Sequence, residues 1–104
     1  MLCLGRREGE SIIVGDNMKL TLTRINSRRA VFFIEKDHGG KKTRQHYRGI
    51  VKGSDFKIED DVKLTILSVS KNQVNFGIKA PHDVAVDREE IRLSKLKGEG
   101  NECN

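Results

Sequence analysis

Apolar and polar positions alternate along two stretches of this chain. The first is Met18-Lys19-Leu20-Thr21-Leu22-Thr23-Arg24-Ile25. A period of two marks a half-buried β-strand, because successive side chains point to opposite faces. Asn26-Ser27-Arg28-Arg29 reads as a turn, and Ala30 to Ile34 as the returning strand, with Ala30, Phe32 and Ile34 on one face. The second stretch repeats the grammar: Val62 to Val69 alternates, Ser70 to Gln73 turns, and Val74 to Ile78 returns with Val74, Phe76 and Ile78 on one face. Ser11 to Val14 and Asp83 to Val86 are shorter predicted strands. Pro81 closes the segment before the last of them, since proline cannot continue a central strand. Asp87 is the predicted cap of a short helix with Glu89 and Glu90 in its first turn and Arg92, Lys95 and Lys97 later. The pattern predicts an all-β domain with a short C-terminal helix. Residues 98–104, polar and Gly-rich, read as a flexible tail.

The two stretches align at an offset of 44 without a gap. Asp16 falls on Asp60, Lys19 on Lys63, Leu20 on Leu64, Phe32 on Phe76, Ile34 on Ile78 and Arg44 on Arg88. Gly5 and Gly9 fall on Gly49 and Gly53. Alternating strands resemble one another by default, so the shared glycines, charged residues and gapless register carry the inference. The reading is a degenerate tandem duplication within one domain, 1–97, with repeat one at about 1–44 and repeat two at about 45–97.

The 104 residues suit a single core, and no apolar run approaches the roughly 18 to 20 residues of a membrane span. The first residues carry no signal-peptide pattern. The expectation is a cytoplasmic protein without a membrane partner. Cys3 and Cys103 lie at opposite ends with no Cys-x-x-Cys and no His at ligand spacing, which predicts neither metal nor cofactor. Cys3 is expected to be a buried thiol. No nucleophile–base or paired-carboxylate arrangement stands out, so an enzyme is not expected.

The formal charge of +5 is unevenly placed. His38 to Lys52 holds Lys41, Lys42, Arg44, Arg48 and Lys52 and no acid, while basic and acidic residues balance over the rest of the chain. A basic block with an interleaved Tyr47 suits a nucleic-acid contact or a solvated loop.

The ends carry a more specific signal. Met1 to Asp16, MLCLGRREGESIIVGD, closely resembles the opening of the bacterial carbon storage regulator family (CsrA/RsmA), and Val62 to Ile91, VKLTILSVSKNQVNFGIKAPHDVAVDREEI, resembles the rest of it. The resemblance implies a small β-barrel or sandwich of strand-exchanged, five-stranded units. It also implies binding of mRNA or small regulatory RNA with GGA motifs in leaders and hairpin loops, and so control of translation or mRNA stability. The family's RNA surface joins the first strand of one unit to the last strand of the other. Here that implies Leu4, Arg6 and Arg7 with Val84, Ala85, Val86 and Arg88, of which Arg88 matches the family's main RNA-contacting arginine. Strand alternation lets only one of Arg6 and Arg7 face RNA.

The chain departs from the family by an extra 44 residues between Asp16 and Asp61, and by Asp87 where histidine is common. A carboxylate there is expected to repel phosphate. The duplication favours a monomeric, single-chain pseudo-dimer over a homodimer with a long insertion. Its second RNA site is expected to be degenerate, with Lys41, Lys42, Arg44 and Arg48, Arg44 taking the place of Arg88, and no well-formed strand over Gly39 to Lys42. The alternative function is an interaction or decoy paralogue that pairs with, or antagonises, such a regulator, or binds its protein antagonist.

Overall fold

The computed structural model describes residues 1–96; the predicted tail, Lys97 and Cys103 lie outside them. The two alternating stretches form the hairpins that the pattern predicts, β3 (Met18–Asn26) with β4 (Arg29–His38) and β7 (Val62–Val69) with β8 (Val74–Lys79). Each gains a preceding strand, β2 (Ser11–Val14) beside β3 and β6 (Asp55–Glu59) beside β7. The remaining elements are β1 (Leu2–Arg6), β5 (Lys41–Ile50), β9 (Val86–Arg88) and the helix α1 (Glu89–Leu96). The fold is all-β with one short helix. No helix among the described residues is long and apolar enough to cross a membrane.

Two antiparallel sheets result, one ordered β1-β8-β7-β6 and the other β5-β4-β3-β2-β9. Each borrows from the far end of the chain: β1 pairs with β8, and β9 pairs with β2. The inner faces meet on Phe32 and Phe76, both fully buried, whose rings sit edge to face at 5.7 Å. Leu20, Leu22, Leu64, Ile66 and Ile78 surround them. Edge-to-face rings add about 1 kcal/mol to the burial of their area.

Four expectations are corrected. First, Lys41 and Lys42 belong to a ten-residue strand, β5, that pairs along β4. Gly39 and Gly40, at φ 63° and 89°, form the tight two-residue turn that a type I′ hairpin requires. The residues expected to break a strand instead fold one back onto β4. Second, the last strand begins at Val86 rather than Asp83. Val84 N donates to Pro81 O at 3.0 Å, which closes a turn over those residues. Third, Asp87 lies in β9, and the helix starts after it, at Glu89. Fourth, Cys3 is exposed, because it alternates outward between Leu2 and Leu4 on an edge strand.

The offset of 44 places Ser11–Val14 on β6, β3 on β7 and β4 on β8, but it splits β5. Residues 42–44 correspond to β9, and residues 46–50 to β1. The boundary drawn between repeats at 44 and 45 therefore falls inside a continuous strand. A β-bulge also interrupts β5: Ala30 faces Ile50, whereas Phe32 faces Tyr47, so β5 carries one extra residue. Gly49, at φ 65°, sits within it.

The β3–β4 turn stores strain. Ser27 and Arg28 take φ of 52° and 62°, the left-handed region that costs a side chain about 1 kcal/mol or more. Arg28→Gly is expected to stabilise the fold by about 1 kcal/mol. A raised urea midpoint with an unchanged m-value would show it; a lowered midpoint would contradict this reading of the turn.

Candidate RNA interface

The edge strand of one sheet, β1, and the edge strand of the other, β9, flank one seam. Leu2, Leu4 and Arg6 alternate toward the interior of their sheet, facing Ile78, Phe76 and Val74 across the ladder. Val86 and Arg88 do the same on β9, facing Val14 and Ile12. A shallow groove of about 190 Å3 runs along this seam, lined by Leu2, Ile78, Pro81, His82, Val84 and Val86 among others. Leu4, Val84 and Val86 are half-buried against the core, while Ala85 and Arg88 are exposed. The structure thus brings the two predicted halves of the site together within one chain.

A buried arginine fastens the seam. Arg6 is only 5% exposed. Its guanidinium donates to both carboxylate oxygens of Glu90, each at 2.9 Å, and to the backbone oxygens of Ser11 at 3.2 Å and Gly5 at 2.9 Å. Bidentate arginine–carboxylate pairs combine charge with fixed geometry. This one ties β1 to the first turn of α1, two residues beyond Arg88. Arg6, expected at the RNA surface, thus has its guanidinium turned into the protein. Arg7, just past the strand, is exposed.

Asp87 also differs from expectation. It faces Ile13 on the outer side of the sheet, opposite in sense to Arg88. Its carboxylate accepts from Arg92 Nε at 2.8 Å and Lys95 Nζ at 2.9 Å. Arg92 also donates to Gly15 O and Ala85 O, so Asp87 holds the helix against the strand end. The predicted repulsion of RNA phosphate is therefore offset by two cations and turned away from the seam.

The second predicted site is not assembled. Because of the bulge, Tyr47 turns inward and stacks on Phe32 at 4.9 Å, and Arg44 turns outward. A one-residue slip of register exchanges the faces of every residue beyond it. Arg44 is bound to Glu35 at 2.8 Å and lies 4.4 Å from the centre of the Phe33 ring, so it does not occupy the place of Arg88. Lys41 and Lys42 point to opposite faces of β5, and Arg48 lies at the bulge. These residues form a basic edge and no seam. Among the described residues, no group of three or more His, Cys, Asp or Glu could hold a metal ion.

The ion pairs set a pH dependence. The hydrogen bond from Arg6 holds the Glu90 carboxyl below its usual range, against the opposing effect of burial. Burial works to raise Asp87, but Lys95 and Arg92 outweigh it and lower it. Carboxylates lowered on folding stabilise the native state above their unfolded values, about pH 4, and lose that contribution as pH falls through the folded values. Glu90→Gln is therefore expected to lower Tm at pH 7 and to match the parent protein near pH 2. A Tm deficit that persists unchanged in acid would contradict the pairing.

Comparison with known proteins finds relatives of this chain. Residues 51–96 match the model of the CsrA family, described as a global regulator protein family. The chain is 45% identical over 47 residues to the translational regulator CsrA of Hydrogenovibrio crunogenus (strain DSM 25203 / XCL-2), a match covering 45% of this chain and 67% of that protein. No solved structure matches. The family is a regulatory one of binding proteins rather than enzymes. The signature residues at both ends, the strand pairing that joins them and these matches place the chain in the carbon storage regulator (CsrA) family.

Proposed function

We propose that this chain is an RNA-binding regulator of translation or mRNA stability that takes a GGA-containing loop or leader into the β1–β9 seam. The observation that carries this reading is Arg88. It is exposed at the seam and makes no hydrogen bond or ion pair among the described residues, while Arg6, Arg92 and Arg44 are all engaged. A planar, permanently charged fork left free beside a groove suits a guanine edge or a phosphate. Unpaired loop bases present the edges that such a group can read.

The other residues take supporting roles. Leu4, Val84 and Val86 supply an apolar wall against which a base can lie. Ala85, in the irregular segment before β9, brings backbone close to the same place. Arg7 supplies an exposed cation for phosphate. Arg6 acts as a positioning residue, fixing β1 relative to Arg88 through Glu90. One complete seam per chain implies one RNA per monomeric pseudo-dimer. The basic strand β5 contributes long-range attraction without recognition.

Arg88→Ala is expected to weaken binding of a GGA hairpin about tenfold or more, the loss of one good base-edge or phosphate pair. Arg44→Ala is expected to change it about twofold or less, because Arg44 is already paired with Glu35. Gel-shift titrations with both variants at one salt concentration check this. Equal losses would contradict the single-seam reading, and failure of the folded parent protein to bind would favour an interaction or decoy module.

A further inference from the structure

We infer that Lys57, Lys63 and Lys79 form a phosphate track across the open face of the four-stranded sheet, which takes the single-stranded RNA flanking the segment held in the seam. The inference rests on the reading of the seam as an RNA site and extends it to residues beyond those that the resemblance assigns to RNA. Lys57 faces Lys63, and Lys63 faces Lys79, in the ladder. Their neighbours Ile58, Leu64 and Ile78 are buried, so all three lysines point outward, and all three are exposed. Neighbouring strands lie about 4.8 Å apart, so the three side chains stand in one row.

Such a row is costly to the fold. Like charges directly opposite one another destabilise a sheet. Among the described residues, none of the three lysines has an ion-pair partner. The equivalent row of the other sheet is built differently. Ile13, Lys19, Glu35 and Arg44 follow one another across the ladder, with Asp87 beyond Ile13. Its cations are neutralised, Lys19 by Glu89 at 2.8 Å and Arg44 by Glu35 at 2.8 Å. Helix α1 packs beside β2 and β9 on that sheet. The same register position is thus charge-balanced on one sheet and uniformly basic on the other.

The row also continues the seam. The three lysines line a shallow groove of about 480 Å3 together with Ala80 and Pro81, and those two residues line the seam groove as well. An RNA strand leaving the seam over Pro81 meets Lys79 first, then Lys63 and Lys57. Asp60 and Asp61 bound the groove on the side of the β6–β7 turn and confine a phosphate chain to the lysine row. A linear polyanion with one charge per nucleotide matches a linear array of cations that begins where the loop site ends.

The test uses the full chain and its Lys57→Gln/Lys63→Gln/Lys79→Gln variant, with three probes. These are a GGA hairpin, the same hairpin with about ten unpaired nucleotides on either side, and oligouridylate alone. The flanked hairpin is expected to bind the parent protein about tenfold more tightly than the bare one at low salt. The variant is expected to lose that advantage and keep its affinity for the bare hairpin. Its salt slope for flanked RNA should fall by about 2, the release expected for three single-strand phosphates. Its Tm should stay or rise, since the substitutions relieve repulsion. No advantage of the flanked RNA, or an advantage that survives in the variant, would overturn the track. Arg88→Ala separates the two readings: it should weaken both hairpins equally. If it weakens neither, the seam reading fails, and oligouridylate still decides the row, with weaker binding by the lysine variant upholding it and equal binding overturning it. Polyglutamate serves as a fourth probe: binding tighter than that of oligouridylate and lost in the lysine variant would overturn the RNA assignment in favour of an acidic protein.

Discussion

The structure depends on where the chain can run over residues 42–50. Residues 42–44 and 46–50 correspond to the last and first strands of the other end, and only Gln45 lies between them. To build a second seam, the first group would have to pair with β6 and the second with β4, on opposite sheets. Packed sheets lie about 10 Å apart. Two consecutive Cα–Cα steps span about 7 Å even when extended. The chain cannot cross within one residue. It stays on β4 as the single strand β5, which leaves the first sheet with four strands and the second with five. The asymmetry of the two sheets follows from the single residue that separates these two segments.

At the seam that does form, β9 follows the turn closed by Val84 and Pro81. There Arg6 and Glu90 fasten the two edges. The buried guanidinium fixes the backbone of β1 against the helix start, and Asp87 fixes the helix to β9 with Arg92 and Lys95. Two ion-pair sets thus hold the frame, while Arg88 stands between them without a partner among the described residues. The charge surplus of β5 and the lysine row lie outside this frame.

The hairpins and the core phenylalanines were legible because period-two alternation is a local signal, and a buried face records it directly. Strand β5 was not legible. Its sequence, KKTRQHYRGI, has no alternation, and its strand state comes from the Gly39-Gly40 turn and pairing with β4. Tertiary context outweighs propensity there. The bulge that flips Arg44 had one faint signal, Gly49, which the repeat alignment matched to Gly5 and so read as an echo of the signature. The candidate site residues at the two ends came from the family resemblance rather than from the alternation pattern. The role of Arg6 was missed because its partner lies 84 residues away in sequence. Burial of a charged residue by so distant a carboxylate leaves no pattern near Arg6 itself. The lysine row was hidden for the same reason, since Lys57, Lys63 and Lys79 become neighbours only through the register of three strands.

The central claim is that one chain carries one complete RNA seam. The molar mass of the protein with saturating GGA hairpin, measured by light scattering after size exclusion, tests it most directly. The account predicts one chain with one RNA across micromolar concentrations. A complex of one chain with two RNAs, or of two chains with two RNAs, would contradict it.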